Sequence, residues 1–202
     1  MNGKIYLSNP GFICAAGNSS DSDTFVKNLS EGNRDGIKKV ECGLVGENGV
    51  KSFYVGKIAD DLLKPTGDKF DMRVLQILDF ALSSVKSAAQ KAIARYGSER
   101  VGVCIGSCDN GSFLSFKAHK AFFKSGEFPA DYDLKAQGAD YVATFASKRL
   151  GAQGISLAFS TACSSSASAL IKAKELIHAG VCDAVIRSEE HTSELQSPDH
   201  LV

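Results

Sequence analysis

Val101-Gly102-Val103-Cys104-Ile105-Gly106 is an almost unbroken apolar run, and it limits what this chain can fold into more than any other segment. A strand with no polar face has no side to give to water, so helices must cover it above and below. The preceding stretch supplies one cover. From Asp71 to Tyr96, Leu75, Leu78, Leu82, Val85, Ala89 and Ala92 recur at alternating three- and four-residue steps, the period of an amphipathic helix, and Gly97 ends it.

The rest of the chain continues the alternation. Lys4 to Asn9 is expected to form the first strand, and Asp21, Ser22 and Asp23 can start a helix that runs through Leu29 and stops at Gly32. Val40 to Lys57 is less regular, with Gly43, Gly46 and Gly49 as turn signals and a strand over Ser52 to Gly56. Helices are expected over Phe113 to Lys124 and from about Ala139 to Leu150, with an excursion through Gly126 and Pro129 between them. Strands alternating with helices argue for an α/β sandwich on a mainly parallel or mixed sheet, and no linker or internal repeat divides it.

Gly154-Ile155-Ser156-Leu157-Ala158-Phe159 reads as a short buried strand, and Ser160-Thr161-Ala162-Cys163-Ser164-Ser165-Ser166 follows it. Ala167, Leu170, Ile171 and Ile177 then fall near one face of a helix. Cys163 would therefore lie at a helix N-terminus, where unpaired N–H groups and the macrodipole favour a thiolate, among neighbours small enough for an acyl group to approach. The same pattern also suits a structural cysteine, since free cysteines are often buried. The three serines are expected to hydrogen-bond within the first helical turn and are assigned no chemistry.

Composition removes several functions. Formal net charge is zero over 202 residues, which gives no general pull toward nucleic acid or membrane. The six cysteines come without a secretory signal and read as reduced cytoplasmic thiols. Cys104 and Cys108 lack a second ligand pair, so no metal site is expected. Gly111 is followed by Ser112-Phe113, which rules out a Walker phosphate loop.

Thr161-Ala162-Cys163-Ser164-Ser165-Ser166, led in by its strand and followed by a helix ending near Ala179-Gly180, is similar to the active-site segment of the β-ketoacyl synthases. Lys4 to Asn18 resembles that family's opening strand and glycine-closed loop, and Val101 to Ser107 its central strand. The resemblance covers most of Met1 to Ile186 and implies a thiolase-like α/β fold, with this chain as the first of two similar halves and a mixed sheet covered by helices. It makes Cys163 the nucleophile, with its backbone N–H as one oxyanion donor. Thr161 would line the pocket and the loop Ser107, Cys108, Asp109 would border it. Family members often carry glycine or an apolar gate residue where Cys108 and Asp109 stand, which leaves chain-length preference open.

The resemblance also implies acyl carrier protein or coenzyme A thioesters as partners, no cofactor, and a homodimer in the full-length form that meets along Gly154 to Phe159. Two histidines and a lysine would come from a second half. His119 and His178 fall in helices away from Cys163, while His191 and His200 lie in the last stretch of the chain.

That stretch departs from the family. Arg187-Ser188-Glu189-Glu190 stands where a glycine-rich turn and an acidic residue are expected, and Arg187 to Val202 has no apolar periodicity. It resembles translated sequencing adapter joined to a truncated reading frame. The expected division is thus a synthase N-terminal domain over 1–186 and a polar, disordered or artefactual tail over 187–202. The leading expectation is a condensing enzyme of fatty acid or polyketide synthesis, inactive in this truncated form. A thiolase-type acyltransferase using coenzyme A, and a non-catalytic fragment that binds acyl chains or dimerises, are the alternatives.

Overall fold

The computed structural model describes residues 4–46, 49–107, 111–138 and 140–189. In chain order the elements are β1 (Ile13–Cys14), β2 (Gly17–Asn18), α1 (Ser22–Ser30), β3 (Ile37–Gly46), β4 (Gly49–Gly56) and α2 (Arg73–Tyr96). There follow β5 (Val101–Gly106), α3 (Ser112–Ser125), α4 (Tyr141–Leu150), β6 (Ser156–Phe159), α5 (Ser165–His178) and β7 (Ala184–Glu189).

Among the described residues the central sheet has three strands in the order β6-β5-β7, all parallel, and antiparallel pairing is confined to the β1–β2 and β3–β4 hairpins. β5 is buried along its whole length, as its composition requires. Its side chains alternate between two layers. Val101, Val103 and Ile105 pack with Leu75, Leu78 and Leu82 of α2 and with residues of α4, whereas Cys104 packs with Ala169 and Leu176 of α5. Leu75 is wholly buried, which alone contributes about 1.5–3 kcal/mol.

Helix limits follow local chemistry. Asp21 caps α1 by accepting the Thr24 N–H at 3.1 Å. Gly97, with φ of 90°, closes α2 in a conformation that a side chain would strain. α2 begins at Arg73, after Asp71 has been drawn into the preceding loop: its carboxylate accepts the Thr66 N–H at 2.7 Å, the Thr66 hydroxyl at 2.8 Å and the Gln76 amide at 3.1 Å. These bonds, the Thr66 N–H foremost, hold the Asp71 carboxyl below the usual carboxylate range.

Three segments differ from the sequence reading. Lys4 to Asn9 forms no strand, because it pairs with no other strand among the described residues, and Tyr6 and Leu7 are exposed. The irregular stretch is a hairpin whose first strand begins at Ile37, opposite Gly56. Strand β7 runs through Glu189, opposite Gly106, so the first residues of the expected tail belong to the sheet backbone. Residues 190–202 lie outside the described residues.

Candidate active site

Parallel strands bring the carboxyl ends of β5 and β6 level: Gly106 stands opposite Phe159, and the Ser107 N–H donates to the Phe159 carbonyl at 3.0 Å. Parallel α/β sheets bind ligands just beyond these carboxyl ends. Here that edge carries Ser107, 2% exposed, beside the Ser160–Cys163 segment, which is open to solvent.

Between β6 and α5 the chain makes a 3-10 turn over Ala162–Ser164. Ala162 has φ of 51°, the left-handed region, which costs a residue with a side chain on the order of 1 kcal/mol. Hydroxyl groups hold the turn. Ser164 Oγ donates to the Thr161 carbonyl at 2.8 Å and lies 3.0 Å from Thr161 Oγ1, which is itself 3.4 Å from Ser168 Oγ. Ser165 Oγ accepts the Thr161 N–H at 2.9 Å and donates to the Ala162 carbonyl at 2.8 Å.

The turn rests on β5 through a glycine. A Cβ at Gly106 would lie 2.7 Å from the Ser165 carbonyl carbon and 2.8 Å from both the Ser165 oxygen and the Ser166 nitrogen. No side chain fits there, so glycine at the strand end is what lets the start of α5 sit against it.

The thiols divide by environment. Cys163 and Cys14 are exposed thiols outside any disulfide, while Cys104 and Cys182 are buried together. Burial first, and then the Cys182 sulfur, pushes the Cys104 thiol up to about 11; burial also raises Cys182. Thiols kept protonated in this way are poor nucleophiles.

The exposed Cys163 thiol thus lies on a strained turn at the carboxyl end of a parallel sheet. Residues 10–187 match the β-ketoacyl synthase N-terminal domain. The chain belongs to the β-ketoacyl synthase family. It is also similar to the ketosynthase ApeO, solved in complex with its chain length factor ApeC, from Xenorhabdus doucetiae: 27% identity, TM-score 0.76, over 97% of this chain and 50% of that one. The chain thus spans half the length of that relative. No curated protein matches it. The fold is the thiolase-like α/β fold of the condensing enzymes.

Among the synthase residues expected from sequence, the structure brings Ser107, Thr161 and Cys163 to one end of the sheet. Cys108 and Asp109 lie outside the described residues, as do His191 and His200. His178 sits in the last turn of α5, at the far end of that helix from Cys163. His119, exposed on α3, has Nδ1 2.8 Å from the Ser115 carbonyl of its own helix and packs its ring against Phe128 and Tyr132. A cavity of about 720 Å³ between the β1–β2 turn and the β3–β4 hairpin, lined in part by Cys14, Asn28 and Lys39, shares no lining residue with the Cys163 turn. Among the described residues no group of three His, Cys, Asp or Glu could hold a metal ion, and no helix is long and apolar enough to cross a membrane.

Sequence reading passed over Gly106 and the specific use of Ser165. A glycine closing an otherwise apolar strand was a visible signal. The Ser165 hydroxyl was hidden among three consecutive serines that only the backbone path tells apart.

Proposed function

We propose that this chain is the first half of a β-ketoacyl-acyl carrier protein synthase of fatty acid or polyketide biosynthesis, acting through an acyl thioester on Cys163. The observation that carries this is the exposed Cys163 thiol, on a strained turn ahead of α5, at the carboxyl ends of the parallel strands. The Cys163 sulfur attacks the carbonyl carbon of an acyl group carried by acyl carrier protein or coenzyme A. The new C–S bond forms, the carrier's C–S bond breaks, and the carrier leaves as a thiol with the proton that Cys163 gives up. A malonyl thioester then loses carbon dioxide. Its carbanion attacks the acyl carbon, frees the Cys163 sulfur and releases a chain longer by two carbons.

In this reading the Cys163 N–H is one donor to the tetrahedral oxyanion. Thr161 and Ser107 line the acyl end of the site. Cys108 and Asp109 follow Ser107 in the sequence and lie outside the described residues. The two histidines and the lysine that complete decarboxylation in the family belong to the second half of its members. The synthase domain proposed over 1–186 runs on in the sheet through Glu189.

The partner in the full-length form is a second copy. β6 supports this, because among the described residues it pairs with β5 alone and no strand lies on its other edge. The exposed Ile155, Leu170 and Ile171 nearby in sequence are apolar surface that such partners would cover. A cytoplasmic setting fits the four cysteines described outside any disulfide.

The test is peptide mass spectrometry of the chain, and of Cys163→Ser, after incubation with an acyl-carrier thioester and separately with cerulenin. Acylation and alkylation at Cys163 ahead of the other five cysteines, lost in the variant, is the expected result. A folded sample modified at Cys14 but not at Cys163 would overturn the reading.

A further inference from the structure

We infer that Ser165 is a positioning residue, whose hydroxyl fixes the peptide plane between Ala162 and Cys163 and so aims the Cys163 N–H. The inference rests on the acyl-thioester reading of Cys163. The Ala162 carbonyl and the Cys163 N–H belong to one rigid planar unit, so whatever holds one orients the other. Ser165 Oγ donates to that carbonyl at 2.8 Å and accepts from the Thr161 N–H at 2.9 Å. One hydroxyl therefore ties down the peptides on both sides of the Thr161–Ala162 pair.

That pair needs holding. Ala162 sits at φ of 51°, a conformation an alanine leaves readily unless its surroundings enforce it. Ser165 can enforce it because it is itself fixed: its side chain is buried, with the residue 3% exposed, and its backbone lies against Gly106 at the end of β5. The order of support is sheet, then Gly106, then Ser165, then the Ala162–Cys163 peptide. Ser164 differs, since its hydroxyl bonds only to Thr161 among the partners described, so it braces the entry to the turn and not the Cys163 peptide.

Two reactions of one thiol separate aim from mere integrity. Acylation of Cys163 by p-nitrophenyl butyrate forms the Cys163 S–C bond, breaks the ester C–O bond and releases p-nitrophenol, passing through an oxyanion that needs the N–H. Alkylation by iodoacetamide displaces iodide, loses the thiol proton and forms no oxyanion. Both are followed at each cysteine by peptide mass spectrometry on the full chain, with exposed Cys14 as internal standard and buried Cys104 and Cys182 as reporters of the fold.

Ser165→Ala is expected to slow acylation of Cys163 roughly tenfold or more, approaching the roughly 10²–10³-fold found when an oxyanion donor is removed outright. Its iodoacetamide rate should stay within about twofold, and Ser165→Thr, which keeps a hydroxyl, should acylate within about threefold of the parent. Acylation unchanged in Ser165→Ala, or acylation and alkylation falling together, would overturn the inference. If Ser165→Ala unmasks Cys104 and Cys182, the decision passes to Ser165→Thr: parental acylation with both thiols protected supports the role, and loss of acylation with both protected overturns it. A parent chain that acylates Cys163 no faster than Cys14 removes the nucleophile reading itself, and this inference with it.

Discussion

The two faces of the central sheet are packed by different rules. Toward α2 and α4 the strands present Val101, Val103 and Ile105 to long aliphatic side chains, and the helices stand off by the thickness of Leu75, Leu78 and Leu82. Toward α5 they present Cys104 and Gly106, and α5 answers with Ala169 and Leu176 against the first and with the Ser165 backbone against the second. The first face gathers apolar area and supplies stability. The second brings backbone close to backbone at the end of β5, which is where the turn carrying Cys163 must be held. Precision and stability are thus assigned to opposite sides of one strand.

The comparison is broken or sharpened by a graded set of changes. Cys163→Ala should abolish the acyl adduct while leaving the fold intact, measured by mass spectrometry beside circular dichroism; an adduct that persists on another cysteine would move the site off the α5 face. Leu75→Ala, at a fully buried position, should cost about 2–5 kcal/mol in urea unfolding, yet the folded fraction should acylate Cys163 at the parental rate. Loss of that rate would show that the two faces are not separable.

Gly106→Ala sets a methyl 2.7–2.8 Å from the backbone of Ser165 and Ser166. It should destabilise by about 1–3 kcal/mol, less than Leu75→Ala, but slow Cys163 acylation far more. That crossover, read from urea curves and acylation rates on the same samples, is the sharpest form of the contrast.

A smaller effect is expected from pH. The Cys104 thiol is pushed by burial from an ordinary value of 9.0 to about 11, so between those values the unfolded chain releases a proton that the native chain keeps. Stability present below pH 9 should fall as pH rises toward 11, and Cys104→Ala should flatten that part of the Tm profile. Smallest is Asp79→Asn, which removes the two-pronged pair with Arg149 between α2 and α4. The pair is partly exposed, so urea unfolding should move by less than about 1 kcal/mol and Cys163 chemistry not at all.

Legibility in the sequence followed the same divide. α2 and β5 were readable because apolar side chains repeat at a fixed period, and the outcome, Arg73–Tyr96 and Val101–Gly106, lies close to the expected limits. α5 was located but its inward face was not. The sequence pattern puts Leu170 and Ile171 on the buried stripe, yet they are 40% and 58% exposed, while Ser165, Ala169, Ala173 and Leu176 are the buried residues of the helix. Close approach reverses the usual rule, because small residues go inward wherever the partner surface is glycine. Lys4 to Asn9 shows a different limit: strand-forming residues make a strand only when a partner supplies the ladder.

The sequence by itself determined the alternation of strands and helices, the two-faced burial of β5 and the place of the cysteine proposed as nucleophile, since each is written in local residue type and period. Only the tertiary structure decided which serine steadies the Cys163 peptide, why Gly106 must be glycine and which thiols stay protonated. Those depend on atoms brought together from β5, β6 and α5, and distances between separate elements are set by packing, not by the order of residues along one of them.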